Sequence, residues 1–360
     1  MERVSRLQIV MLGATHLISA TLVSVPAQAA QYARQQVYLS LIIAAIIIVL
    51  SLWLLDRVMR RFPKQDLFKS LMVNAGGKGI AVLYVCFFFF ILVRDFRMLG
   101  DFVKISLLPD TPPIVIGVLL VFVFWYMTRG GAEALGRMAE LYLPLLIVAV
   151  LFIPLIMVKD FDPVLMAPYL PIEPIGVLKG AWFFVGYIGE VIAMVFVFSN
   201  SSYRFRYGLY SLLLGTGVLF ILVVSSQLIL GTVLLPRMFY PTYELVRHIN
   251  VTDFLDRFDL PLVGVYLPVM FIKISFSLYI VCLGIVRLLP DASGKLLVTP
   301  VSALGFVCAF WFFRDAIQLF NFNRSYPLIA LFFELLIPIL LFFLLRPKEK
   351  VNSEQPNSSA

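Results

Sequence analysis

The sequence predicts an all-α polytopic membrane protein, with ten transmembrane helices in a five-plus-five inverted repeat. Three observations carry the prediction. Of 360 residues, 61% are hydrophobic and only 14% are charged, with a mean hydropathy of +0.96, where a soluble fold carries about a quarter charged residues. The apolar residues fall into runs that approach or exceed the roughly 20 residues needed to cross a bilayer. Ten spans divide into five plus five, and an odd number per half forces the halves into opposite orientations, as in inverted-repeat transporters. Soluble enzymes are excluded.

The first run, 7–25, follows Arg3 and Arg6 and precedes Ala27-Gln28-Ala29, which has the form of a signal-peptide cleavage site. A retained first span is the simpler account, because His16 sits in mid-segment and everything downstream is polytopic. The further runs are 38–55, 80–102, 114–127, 142–158, 178–199, 209–235, 262–289, 296–313 and 326–345. The transmembrane domain is expected over 1–347, with a first repeat at 7–158 and a second at 178–345. The polar tail, 348–360, is expected to be disordered and cytoplasmic.

With the N-terminus cytoplasmic, seventeen Lys and Arg fall in inner loops and nine in outer loops, which satisfies the positive-inside rule. The net charge of +8 is spread over short clusters between apolar runs, so it reads as a topology signal and not as a nucleic-acid stripe. Cys86, Cys282 and Cys308 lie inside apolar runs, and His16 and His248 are too few for a metal site, so neither a disulfide framework nor a metal is expected. No cofactor is expected either. Two long connections, 159–177 and 236–261, fall on the outer face. The second mixes Leu245, Val246, Ile249, Phe254, Leu255 and Phe258 with charges. It reads as one or two short helices over the mouth of the bundle, or as interfacial helices with no gating role.

Inverted-repeat transporters place their site where the first helix of each half is interrupted, so the first and sixth spans matter most. In the first, His16, Ser19 and Thr21 put polar and small residues mid-span, and Pro26 closes the outer half. One reading is a slightly bent helix whose hydroxyls bond back to the backbone. The other is an unwound stretch whose freed backbone groups at Ile18, Ser19, Ala20 and Thr21 face a ligand. The sixth span answers with Gly180, Gly186 and Gly189 beside Tyr187 and Glu190. Close helix packing accounts for the glycines, but not for a carboxylate at bilayer depth, which needs an interior partner or a functional role. Backbone at Val185, Gly186, Tyr187 and Gly189 is therefore the second expected ligand contact, with Tyr187 and Glu190 supplying polarity.

Lys273 lies near the centre of the eighth span, followed by Ser275 and Ser277. Its depth makes snorkelling difficult, so it calls for an internal anion, with Glu190, Asp95 and Glu334 as candidates. An ammonium at midplane takes the place of a coupling sodium ion, which favours proton coupling or no coupling. In the third span, Arg94 and Arg97 share a face and read as vestibule lining for an anionic group. Alternatively, Arg97 and Asp101 form an intrahelical pair. The run of phenylalanines at 87–90 reads as lipid-facing or packing. Nothing suggests a covalent enzyme: no triad arrangement or phosphate-cradling loop is visible, and the carboxylates are scattered among spans.

Phe62-Pro63-Lys64 is followed by Gly76-Gly77-Lys78-Gly79 and by Leu107-Leu108-Pro109-Asp110-Thr111-Pro112. Arg129-Gly130 with Glu133 and Arg137, then Tyr240-Pro241-Thr242 with Glu244-Leu245, come after. In order and spacing, over nearly the whole chain, these resemble the landmarks of the spore germinant-receptor B subunits, the GerAB-type germination proteins. The resemblance implies the amino acid–polyamine–organocation transporter superfamily, and a LeuT/APC-like fold with discontinuous helices 1 and 6. The first helix would be interrupted at 18–22, ahead of Ser24-Val25-Pro26. Many relatives have two glycines where this chain has Ser19 and Thr21, and those glycines free N–H groups to hold an amino-acid carboxylate.

The resemblance further implies the spore inner membrane or cell membrane, and a small-molecule germinant, commonly an amino acid and sometimes a sugar or nucleoside. The implied partners are a polytopic A subunit, a lipoprotein C subunit and the lipid bilayer, with no nucleic acid. The leading reading is a ligand-sensing subunit with a midplane pocket between the first, third, sixth and eighth helices. Its rivals are a proton-coupled amino-acid transporter, with Glu190 or Lys273 changing protonation, and a scaffold with a vestigial pocket.

Overall fold

The computed structural model describes residues 4–62, 64–73, 75–167, 170, 172–199, 202–247 and 259–345. The tail at 348–360, and Ile249, Phe254, Leu255 and Phe258 of the long connection, lie outside these residues. Among the described residues every regular element is helical. The chain runs through α1 (Arg6–Ala33), α2 (Val37–Met59), the short α3 (Leu67–Leu71), α4 (Ala75–Ser106), α5 (Pro113–Arg129) and α6 (Gly131–Ile156). It continues through α7 (Pro174–Ile188), α8 (Ala193–Val197), α9 (Phe205–Leu234), α10 (Pro241–Arg247), α11 (Asp259–Leu288) and α12 (Gly294–Phe312). It closes with α13 (Ala316–Phe322), α14 (Tyr326–Leu331) and α15 (Ile337–Leu344).

Among the described residues, eight helical stretches are long and apolar enough to cross a membrane, one of which, Val25–Met59, joins the end of α1 to α2. The apolar helix α5 is shorter, at 17 residues. With α1 and α2 taken separately, each of the ten predicted runs coincides with a helix or a pair of helices. Outer faces expose Ile46, Leu119, Phe122, Leu155 and Leu213. Exposed apolar area on this scale marks a surface made for another apolar phase, here the lipid tails.

Helix ends follow local chemistry. Ser5 and Gln8 form a reciprocal capping box at the start of α1, Pro113 and Pro174 open α5 and α7, and Asp66 and Asp315 cap α3 and α13. At the other end of the chain, Arg61 donates to the carbonyls of Phe342 at 2.7 Å and Leu345 at 3.0 Å, satisfying acceptors that α15 leaves open.

The first helix occupies the centre. α1 packs on α7, α9, α6 and α11, and Ala14, Leu17, Ile18, Ala20, Ala29 and Ala30 are completely buried. The expected interruption at 18–22 is absent: α1 stays helical there. Ser19 donates back to the Thr15 carbonyl, and Thr21 to that of Leu17 at 2.5 Å, so these hydroxyls decorate an intact helix rather than replace its bonds. The discontinuity instead sits one turn later and is a single missing rung. Pro26 has no N–H to offer the Leu22 carbonyl, and the Thr242 hydroxyl from α10 donates to it at 2.9 Å.

The sixth span is discontinuous as well, though not at 185–188, which stays helical. Between α7 and α8 the chain tightens into a 3-10 turn, Gly189–Ile192. The tenth span has the opposite distortion, a wide π-helical turn at Phe332–Leu336 between α14 and α15. Both distortions meet in the bundle interior, where the polar residues gather.

Small residues let α1 and α9 approach. A methyl on Gly13 would lie 2.6 Å from Ser211 Oγ, and Ser211 donates to the Val10 carbonyl at 3.0 Å across the same contact. Gly13→Val is expected to destabilise the protein by about 1–3 kcal/mol through overpacking, read as a lower thermal midpoint in detergent. Gly217→Ala, which meets nothing within 4 Å among the described residues, is expected to leave the midpoint unchanged within roughly 0.5 kcal/mol.

Candidate functional site

Of the 29 Lys and Arg residues, Arg94, Arg97 and Lys273 lie deep within apolar runs, and all three are buried. Arg94 and Lys273 meet in one cluster. Asp95, next to Arg94 on α4, accepts from Arg94 Nε at 2.8 Å and Nη2 at 2.5 Å. Arg94 Nη2 also donates to Glu190 Oε1 at 2.6 Å. Lys273 Nζ, from α11, lies 2.7 Å from Glu190 Oε2 and 3.0 Å from Asp95 Oδ2. Each cation touches both anions, and all four side chains are 0% exposed.

Aromatic groups complete the setting. The Arg94 guanidinium lies between the rings of Tyr187 and Tyr326, with Cζ 4.4 Å and 4.3 Å from their centroids, an arrangement that favours a cation electrostatically. The Tyr326 hydroxyl donates to Glu190 Oε1 at 3.1 Å. Removing an ion from water costs several kcal/mol even after relaxation, and the cost is offset only by close counter-charges and hydrogen bonds. Alternation of two positive and two negative charges supplies those counter-charges and leaves the ring neutral.

Hydrogen-bonding capacity remains beside the ring. Arg94 Nη1, the Tyr187 hydroxyl, both His16 nitrogens and the hydroxyls of Thr15 and Ser275 are buried without a hydrogen-bond partner among the described residues. His16 stands edge-on to Phe276, with centroids 5.5 Å apart.

The structure brings together four of the sequence-predicted residues, Arg94, Tyr187, Glu190 and Lys273. Gly186 stands close to them: a Cβ there would lie 3.2 Å from the Tyr326 ring and from Pro327 Cα. Val185 is buried in α7, and Ser277 donates to the Lys273 carbonyl at 3.2 Å, one turn along α11. Ile18, Ser19, Ala20 and Thr21 are buried in continuous helix, and the Ser19 carbonyl accepts from the Tyr266 hydroxyl at 3.1 Å. Gly189 packs against the Glu334 side chain.

Of the three candidate anions for Lys273, Asp95 and Glu190 pair with it and Glu334 does not. Of the two readings of the third span, the intrahelical pair is the one formed: Arg97 pairs with Asp101 at 3.0 Å and donates to the Arg314 carbonyl at 3.0 Å, while Arg94 turns into the ring. The four side chains of the ring are wholly enclosed, at 0% exposure. A small cavity of about 20 Å³ lies at the α10 end, lined by Leu22, Phe102, Tyr240, Thr242, Tyr243 and Tyr266 among others. That is room for about one water. The larger concavity of about 610 Å³ is lined wholly by apolar residues of α14 and α15 and the turn between them, and reads as a lipid-facing groove.

Tyr326 was not anticipated. A tyrosine opening an apolar run reads as an interfacial anchor, and nothing in the sequence signals that it reaches a carboxylate on another helix.

The model of a family described as "Spore germination protein" matches residues 3–316. The chain belongs to that spore germination family. Among curated members, the chain is 32% identical over 350 residues to YfkT of Bacillus subtilis (strain 168), provisionally named a spore germination protein, covering 97% of this chain and 98% of the relative. It is 25% identical to spore germination protein KB of the same organism, over 77% of each chain.

Among solved structures, the fold matches Mhp1, a nucleobase-cation-symport-1 family transporter in a closed conformation with bromovinylhydantoin bound. The TM-score is 0.68 at 15% identity, covering 95% of this chain and 78% of that one. A Na+-coupled sialic acid symporter, in a substrate-bound outward-open state, matches with a TM-score of 0.61 at 13% identity, covering 93% and 79%. The family member described here therefore has the ten-helix inverted-repeat fold of LeuT-type transporters and is a multi-pass membrane protein.

In this family member the ring makes a sharp energetic demand, since losing one charge strands another. Lys273→Met is expected to destabilise the protein by about 3–5 kcal/mol. Combining it with Glu190→Gln is expected to cost less than the two single changes summed, and a double-mutant cycle on thermal stability in detergent measures the difference.

Proposed function

We propose that this germination-family membrane protein is a ligand-sensing subunit of a spore germinant receptor, and that its ligand is a small polar germinant, an amino acid by preference. The observation that carries the reading is the neutral buried ring of Arg94, Asp95, Glu190 and Lys273, with unsatisfied donors at Arg94 Nη1 and Tyr187 beside it. A zwitterion carries one charge of each sign. It substitutes for one edge of the ring, its carboxylate facing Arg94 and its ammonium facing Glu190 or Asp95, and keeps the interior neutral.

Such exchange requires the helices to part, because all four side chains of the ring are wholly enclosed. The sixth helix is suited to move. Its 3-10 turn breaks the regular ladder next to Glu190, and Gly186 and Gly189 give close, side-chain-free contacts to the tenth span. The ligand shifts the equilibrium to the extent that it binds the open and closed states differently. In this reading the two repeats at 7–158 and 178–345 move against each other, both termini are cytoplasmic, and the change passes to a polytopic A subunit and a lipoprotein C subunit in the spore inner membrane.

The test is a thermal-shift screen of amino acids, sugars and nucleosides on the purified protein, followed by binding isotherms for any stabilising compound. Glu190→Gln is expected to weaken binding at least tenfold, about 1.4 kcal/mol. Gly186→Leu should do likewise by displacing Tyr326. Equal affinities in all three proteins would sink the proposal. Accumulation of the same compound in liposomes, driven by a pH gradient, would replace the sensor with a transporter.

A further inference from the structure

Glu334 stands outside the ring. Its side chain is completely buried, and neither carboxyl oxygen has a hydrogen-bond or ion partner among the described residues. It sits in the π-helical turn Phe332–Leu336, a distortion that turns a side chain out of α-helical register and is frequent at functional sites. Two hydroxyls pin this turn by its backbone: Tyr84 donates to the Phe333 carbonyl at 2.8 Å, and Ser51 donates to the Glu334 carbonyl. Neither serves the carboxyl. The carboxyl itself rests on Gly189, where any Cβ would collide with Glu334 Oε2 and approach Ile48.

The groups that face Glu334 can be named element by element. α4 presents Tyr84 and Arg94, the sixth span presents Glu190, α11 presents Lys273, and α14 presents Tyr326. α2 contributes Ser51 and Ile48, which do not titrate. Arg94 and Lys273 are each already held between Asp95 and Glu190, and the Tyr326 hydroxyl is committed to Glu190. No cation is left over. An ionised Glu334 would be a third negative charge against two positive ones, and burying an unpaired carboxylate is far more costly than burying a neutral acid.

We propose that Glu334 is a proton-binding site, which holds its proton in this closed arrangement and releases it to water when the Gly189–Ile192 turn moves away. The acid O–H bond breaks, its electron pair stays on the carboxylate oxygen, and the proton goes to solvent; no other bond changes. The new carboxylate then competes with Asp95 and Glu190 for Lys273 and Arg94, so the packing of the sixth helix on the tenth is linked to pH. The assignment moves the proton-linked step away from Glu190 and Lys273, which satisfy each other. It deepens the sensor reading through the same helix motion, but the protonated acid is measurable with no ligand present.

The test uses the full chain purified in detergent at neutral pH. Infrared spectroscopy is expected to show the carbonyl band of a protonated carboxyl, absent from Glu334→Gln and weakened in Glu190→Gln, where the lost anion leaves a cation for Glu334 to pair with. Gly189→Ala, which leaves Glu334 in place but pushes it off its seat, is expected to weaken the band. The pH dependence of thermal stability has a definite sign. A group that keeps its proton in the folded state and loses it on unfolding makes stability fall as pH rises. The fall begins above the ordinary glutamate range, about 4.3, and Glu334→Gln is expected to make it shallower. Absence of the band from the unaltered protein overturns the proposal even if the variants do not fold. A band that survives undiminished in Glu334→Gln, or equal pH slopes in parent and variant, also overturns it. Loss of ligand affinity in Glu190→Gln without a Glu334 band would leave the sensor reading standing and remove this inference alone.

Discussion

Mutual neutralisation of Arg94, Asp95, Glu190 and Lys273 is the constraint around which the bundle is arranged. Each ion would be intolerable alone at this depth, and each is tolerated because two opposite charges sit within about 3 Å. The partners come from three different spans, and Tyr326 adds a fourth. The third, sixth, eighth and tenth spans are thereby fixed in relative height and rotation, since a slip of one helical turn, about 5.4 Å, would strand a charge. Apolar packing between helices supplies no such register in lipid, where every greasy face has a ready alternative partner.

Packing at the α10 end follows a different principle. Phe102, Tyr240, Tyr243 and Tyr266 meet edge to face, with Phe102 at the centre and ring centroids 5.3 to 5.7 Å apart. The polar tips of the tyrosines then find backbone carbonyls: Tyr243 reaches Ser106 at 3.1 Å, and Tyr266 reaches Ser19 at 3.1 Å. The short helix α10 is thus stitched to α1, α4 and α11 by a few hydroxyls and rings. Contacts of this kind are individually modest.

The fold was almost wholly legible, because lipid imposes a length and a composition on every span, and the ten apolar runs coincide with observed helices. The site was legible where it broke that composition: Glu190, Lys273 and Arg94 stand out as charges in apolar runs. Which charges pair was not legible, since a linear sequence does not state which faces of which spans meet. Asp95 and Glu334 were equal candidates for Lys273, and only the helix rotations separate them. The hydroxyls of Ser19 and Thr21 misled for a physical reason. The same side chain that stabilises an unwound backbone also bonds back onto an intact helix, and a single missing bond at Pro26 sufficed where a broken segment was expected. The π-helical turn that turns Glu334 inward has no signature in residue type.

The zero net charge of the ring has an electrical consequence. A transmembrane voltage does work of about 2.3 kcal/mol per 100 mV on each elementary charge carried across the full field. A unit holding two positive and two negative charges that shifts as one body does no such work, so an energised and a de-energised membrane treat its motion alike. Only a charge that appears or disappears in the interior makes the transition sensitive to polarisation. A buried acid poised beside the sixth helix is where that sensitivity would enter.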